Sequence, residues 1–322
     1  MSSWPARLLL AAGLAAFAFQ WAHVWPFVAD DAFITFRYAQ NLARGYGPTW
    51  NAGGAQVEGF TSSGYLLLAT LPELVGASPV SFARGVGGVA ALAMAASAAG
   101  VARLLSDGGG VTGRSAGGEL AAAFAAGGLL AWYPTAVHAA SCMETLPAAA
   151  VLTELLRRHL LLHGGSRPTR GVLAGLSLAA GLLRPELNVV AAALFAYSYH
   201  RFPHDRPWLA REVGLRWLAP GAVFFAARAA WYGHALPLPF HAKIAGGDVL
   251  PGLDSVLLFG LALLGLLGLL VAVGLIGRAR RSAAALGLIG IVGGLGLLPD
   301  PVMDFEFRYC MPAAPAAFAL AG

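Results

Sequence analysis

The 322 residues are 58% hydrophobic and only 11% charged, with a mean hydropathy of +0.68. That composition excludes a disordered chain and an ordinary soluble domain, in which about 25% of residues are charged. The chain reads as an integral membrane protein, and its net charge of +5 and pI of 9.6 belong to that setting.

In chain order, stretches free of Lys, Arg, Asp and Glu run over residues 8–29, 85–102, 120–143, 255–277 and 282–299. Each is near or above the roughly 18 apolar residues of a spanning helix. A further run, 213–230, is interrupted by Arg216 and Arg228. The first run exceeds the roughly 7–15-residue core of a cleavable signal and is expected to stay as the first helix. Residues 108–118, rich in glycine, are expected as a flexible cytoplasmic link. The expected fold class is all-α: a polytopic transmembrane helical bundle, one domain over 1–322, with residues 29–79 as the first extracytoplasmic loop.

Cytoplasmic loops retain Lys and Arg. With Arg7 inside, loop 29–79 lies outside, Arg103 and Arg114 inside, the link 141–145 outside, and Arg157, Arg158, Arg167 and Arg170 inside again. Within 171–200, Arg184-Pro185-Glu186 splits the apolar sequence into two short arms. A hairpin pointing outward keeps 14 of the 21 basic residues inside, against nine for one kinked span, so the hairpin is expected. Pro185 favours the break, because it removes a backbone donor and disfavours helix at the residue before it. Such an arm rises only about 20 Å against a hydrocarbon core of roughly 30 Å. Arg184 and Glu186 should therefore sit below the outer surface and face a polar cavity or each other. Orientation and anionic lipid account for the cytoplasmic arginines, and nucleic acid is not implied as a partner.

Eleven of the sixteen acidic residues, among them Asp30, Asp31, Glu58, Glu144 and Glu186, then fall on the outer side. An ion pathway would spread charge through the membrane's depth. Charge gathered at one face points instead to an enzyme working at that face.

Residues 30–41 read as a short interfacial helix ended by Gly45, with Asp30 and Arg37 two turns apart on one face. The two acids could simply cap that helix. One cap would suffice, however, and two carboxylates side by side resist being ionised together, which suits a general base. The same pair could hold Mg²⁺ or Mn²⁺, and no metal spacing of His and Cys occurs elsewhere. Glu58 and Thr61 lie in a polar turn where Ser62 or Ser63 can cap the next helix. Glu144 stands at an outer helix boundary. Trp231-Tyr232-Gly233-His234 leads through Pro237 and Pro239 to His241 and Lys243, a rigid outer loop carrying a cation. Cys142 and Cys310 are both expected on the outer side, where oxidation is permitted, but as small apolar residues rather than a disulfide.

Asp30-Asp31-Ala32-Phe33, Phe36-Arg37-Tyr38, Asn41, Gly45, Gly47-Pro48, Asn51 and Val57-Glu58-Gly59-Phe60-Thr61 together resemble a known first-loop signature. It is that of polytopic, polyprenyl-phosphate-sugar-dependent glycosyltransferases of the C fold (GT-C), above all the terminal arabinofuranosyltransferase-like group. The similarity continues through Glu144-Thr145, Arg184-Pro185-Glu186, Tyr232-Gly233, Pro237, Lys243 and Arg308-Tyr309, and so covers nearly the whole chain. His234 departs from the pattern where an acid is usual, and Leu238 where a polar residue is. The family usually continues into more helices and an extracytoplasmic C-terminal domain, so by this resemblance the chain ending at Gly322 is short of the usual length.

The resemblance implies transfer of a sugar from a polyprenyl-phosphate donor to an envelope glycan, lipid or protein acceptor. The reaction would take place at the extracytoplasmic face of the cell membrane, with the N-terminus in the cytoplasm. Asp30 or Asp31 would be the catalytic base. Arg37, Glu58, Thr61, Glu144, Arg184, Glu186, Tyr232, Lys243 and Arg308 would bind substrate, and the only cofactor in view is the divalent ion. A low-pKa phosphate leaving group needs no general acid, so one base could serve an inverting displacement. Arginines would hold the departing phosphate in forked contacts. The alternatives are a transporter or flippase of lipid-linked precursors, which Arg216 and Arg228 would fit, and an inactive membrane scaffold. Against transport, the sequence has one broken segment and no internal repeat.

Overall fold

The computed structural model describes residues 4–107, 115–163, 171–234, 289, 308 and 310–321, and helix is the only regular secondary structure among them. The expected spans at 255–277 and, apart from Ile289, 282–299, and the loop carrying Lys243, lie outside the described residues. Helices α1 (Trp4–His23) and α4 (Pro79–Ser106) are each long and apolar enough to cross a membrane. On α1 the large side chains Trp4, Leu8 and Phe19 are 73%, 58% and 77% exposed, an uncovered apolar surface suited to lipid. Between these helices come α2 (Asp30–Ala43) and α3 (Ser63–Leu74). Ser62 caps α3 by accepting the Tyr65 N–H at 3.3 Å, and Gly45, at φ +82°, turns the chain out of α2.

The run 120–143, expected as one span, is instead two helices. They are α5 (Ala116–Ala131) and α6 (Tyr133–Ala140), bent 57° to one another. Trp132 between them is extended, at φ −74° and ψ 118°, and Pro134 sits in the first turn of α6. There its missing N–H is tolerated, whereas inside a continuous helix it would clash with the preceding turn. The glycine-rich link is also shorter than expected, since α5 already begins at Ala116. Ser115 caps it by accepting the Gly118 N–H at 2.9 Å, and Glu119 adds a carboxylate in its first turn.

Helix α4 is the central rod, packed against α5 and α7 (Thr145–His163). Close approach is made through small residues, as in membrane helix pairs. A Cβ on Gly87 would collide with the Ala139 carbonyl of α6, and one on Gly13 of α1 with Gly127 of α5. The C-terminal α12 (Ala314–Ala321) packs on α4 and α5.

Helices α8 (Val172–Leu183) and α9 (Leu187–Arg201) form a hairpin. Arg184, at the end of α8, reaches Glu144 at the start of α7. Ser198, near the end of α9, meets His159 near the end of α7 at 2.7 Å. The hairpin tip thus lies level with the α6–α7 turn. The chain then runs through α10 (Arg206–Arg211), a π-helical segment (Glu212–Leu218) and α11 (Ala219–Tyr232). The π segment ends at Leu218, two residues before Pro220, whose ring would otherwise press on the carbonyl of Arg216.

Candidate active site

Four separate parts of the chain converge at the end of the bundle where α7 begins. The backbone N–H of Ala29 donates to the Ser141 carbonyl at 3.1 Å, fastening the start of α2 to the α6–α7 turn. That turn is tight enough to force Cys142 to φ +62°, and the next residues carry Glu144 into the interior. The Glu144 carboxylate accepts from Arg308 Nη2 at 3.1 Å and pairs with Arg184 Nη1 at 3.5 Å. Arg308 Nη1 stands 3.6 Å from Asp31 Oδ2. Arg184 Nε donates to Glu186 at 2.5 Å across the hairpin tip. The first loop, the α6–α7 turn, the hairpin and the C-terminal segment therefore share one chain of ion pairs.

The members differ in how firmly they are held. Glu144 is buried and lies between both guanidiniums. Burial alone would push its carboxyl up, but Arg308 and then Arg184 outweigh that and hold it below the ordinary carboxylate value. Asp31 is held least: its distance to Arg308 exceeds a hydrogen bond, and its side chain is 22% exposed. Among the described residues the cluster sets three carboxylates, Asp31, Glu144 and Glu186, against two guanidiniums, Arg184 and Arg308. Its exposed share falls at Asp31 and Glu186. Asp30 does not join them. It is exposed, and its Oδ1 accepts the Asp31 N–H at 2.9 Å, a helix-start contact. The two adjacent aspartates thus have different partners. Among the described residues no group of three or more His, Cys, Asp or Glu gathers for a metal.

A second ion pair pins the first loop. Arg228 of α11 grips Glu58 with a two-pronged contact, its Nε donating to Oε1 at 2.7 Å while Nη2 takes Oε2. Both residues are buried. The Tyr232 hydroxyl donates to the Pro48 carbonyl at 2.7 Å. From the other side, Tyr38 donates to the Val57 carbonyl at 2.6 Å and accepts the Gly59 N–H at 2.9 Å. Burial, followed by the nearby Glu58, pushes the Tyr38 phenol up against the opposing Gly59 contact, so it stays a donor. Asn41 binds the carbonyls of Thr49 and Trp50 at 2.7 and 2.9 Å. Residues 48–60 are thus clamped between α2 and α11.

Of the residues read from sequence, Asp31, Glu144, Arg184, Glu186 and Arg308 meet in one cluster. Glu58 and Tyr232 lie in the loop clamp. Arg37 shares no face with the cluster in its contacts: it turns to the Trp50 carbonyl at 3.1 Å and to Gln40 at 3.2 Å. Thr61 is half-buried beside the Ser62 cap. Lys243 lies outside the described residues. Of the two charges that fit a transport reading, Arg228 is buried and paired with Glu58, whereas Arg216 is exposed and paired with Glu212. Cys142 and Cys310 are both buried and not joined to each other, and burial pushes the Cys142 thiol up to about 11. The partner of Glu58 was missed from sequence, although an arginine inside an apolar run is itself a signal for a buried acid. No family model matches the chain, and neither a curated protein nor a solved structure matches it.

Proposed function

We propose that the chain is a polytopic membrane glycosyltransferase of the C-fold type. It moves a sugar from a polyprenyl-phosphate donor to an envelope glycan, lipid or protein acceptor at the extracytoplasmic face of the cell membrane. The observation that carries this reading is the convergence of Asp31, Glu144, Arg184 and Arg308, drawn from four distant segments, at one end of an apolar bundle. It offers a partly exposed carboxylate beside two buried guanidiniums. Asp31 takes the proton of the acceptor hydroxyl as that oxygen attacks the anomeric carbon. The bond from that carbon to the phosphate oxygen breaks, and its electron pair leaves on the phosphate.

Arg184 and Arg308 hold the growing phosphate charge, with Lys243 as a further cation. Glu144 keeps the two guanidiniums aimed and separated while no donor is bound. The donor phosphate takes over guanidinium contacts that the carboxylates hold in its absence. When it draws Arg308 away from Asp31, the carboxylate is left to accept the proton. Asp30, in this scheme, supports the helix start. The same one-sided cluster is the reason to prefer transfer over transport or an inactive scaffold.

The test is product formation by the purified chain in liposomes supplied with a radiolabelled polyprenyl-phosphate sugar and an envelope-glycan acceptor. A new glycosidic bond is the expected outcome. Passage of the lipid-linked sugar across the bilayer with no such bond would establish the transport reading instead.

A further inference from the structure

The direction in which Arg184 points is set just after α8 ends. Arg184 is already extended, at φ −147° and ψ 112°, and α9 begins at Leu187, so the tip depends on what fastens the first turn of α9. Asn188 does this. Its Nδ2 donates to the Pro185 carbonyl at 2.9 Å, and its Oδ1 accepts from Trp217 Nε1 of the π segment at 3.3 Å. The amide lies against α8 where Gly181 makes room, since a Cβ at Gly181 would collide with it. Trp217 is itself held, buried and stacked on Phe195 of α9 with ring centroids 5.4 Å apart. Earlier in the same segment, the buried Glu212 accepts the Gly171 N–H at 2.8 Å, beside the start of α8. The π segment thus grips the hairpin near both ends.

An amide among apolar helices costs free energy unless its polar halves are bonded, and a leucine would fill similar space. Here both halves are used, the donor on the backbone of the tip and the acceptor on a separate element. We infer that Asn188 is a positioning residue, with Trp217 as its anchor. It holds the tip so that Arg184 reaches Glu144, 3.5 Å away, and meets the donor phosphate. The phosphate part rests on the function proposed above, whereas the hold on the Arg184–Glu144 contact does not.

The experiment is a thermodynamic cycle on the full purified chain in detergent, read by chemical denaturation, with Asn188→Leu and Arg184→Gln made singly and together. The fall in the folding equilibrium constant caused by Arg184→Gln should shrink about fivefold or more in the Asn188→Leu background, because the misdirected guanidinium has already left Glu144. Arg228→Met, in the loop clamp, should cost the same in both backgrounds. Trp217→Phe keeps the ring on Phe195 and removes only the N–H. It should shrink the Arg184→Gln effect in the same direction, and it carries the test if Asn188→Leu does not fold. Independent effects at positions 188 and 184, or a coupling to Arg228 as large as that to Arg184, would overturn the inference. With the sugar donor supplied, Asn188→Leu should raise its KM about threefold or more with little change in kcat; an unchanged KM would overturn the phosphate part. The cycle needs no substrate, so it can succeed where sugar transfer fails, which separates this inference from the function proposed above.

Discussion

Asp30 and Asp31 are neighbours in sequence with unlike surroundings, and that difference is the finest detail the site offers. Asp30 turns back to a backbone N–H of its own helix, while Asp31 looks across to Arg308. Glu144 is held by two arginines, and truncating its charge leaves both guanidiniums buried with one less counterion. Glu144→Gln should therefore lower stability by about 3–5 kcal/mol, read as a fall in the thermal midpoint in detergent. Its carboxyl is held below the ordinary 4.5 in the folded chain. The resulting stabilisation is complete above that value and disappears as pH falls through the lowered one. Melting between pH 7 and pH 3 should show the loss only at the acid end, and Glu144→Gln should flatten that part of the profile. Arg184→Gln should raise the KM for the donor about tenfold or more; an unchanged KM would remove Arg184 from the phosphate seat.

Among the elements, the buried Glu58–Arg228 pair joins the first loop to α11, far apart in sequence. Arg228→Met alone should destabilise the chain by about 3–5 kcal/mol, because Glu58 is left charged and buried. Adding Glu58→Met should restore most of it, since two apolar side chains can replace a buried pair. Chemical denaturation of the three variants checks this. Gly87→Ala should cost about 1–3 kcal/mol, because the new methyl meets the Ala139 backbone rather than a movable side chain. The hairpin 171–200 was legible in the sequence, as Pro185 between two charges interrupts an otherwise apolar run. The break at Trp132 was not, because no charge marks it and Pro134 two residues on was the only signal. Arg228 inside an apolar run signalled a buried acid, but which acid it meets was not legible, since only tertiary packing brings Glu58 to it.

Across the whole molecule, the helical character of the described residues followed from the long apolar runs, and Asp31, Glu144, Arg184 and Arg308 meet at one end of the bundle. The sequence could not rank Asp31 above Asp30, because adjacent residues on a helix point about 100° apart and only the packed partner decides which faces inward. The proposed orientation has its own test. In a chain with Cys142 and Cys310 replaced by Ala, a cysteine at the exposed Asn51 should react with a membrane-impermeant maleimide in intact cells, and one at the exposed His204 only in inside-out vesicles. Labelling of both from one side would break the topology.

The decisive measurement is radiolabelled-sugar transfer by purified Asp31→Asn and Asp30→Asn side by side, each checked for an unchanged melting midpoint. Loss of transfer by about 10²-fold or more in Asp31→Asn, with Asp30→Asn within about threefold of the parent, is what the geometry around Arg308 requires. Equal activity of the two variants, or a loss confined to Asp30→Asn, would contradict it.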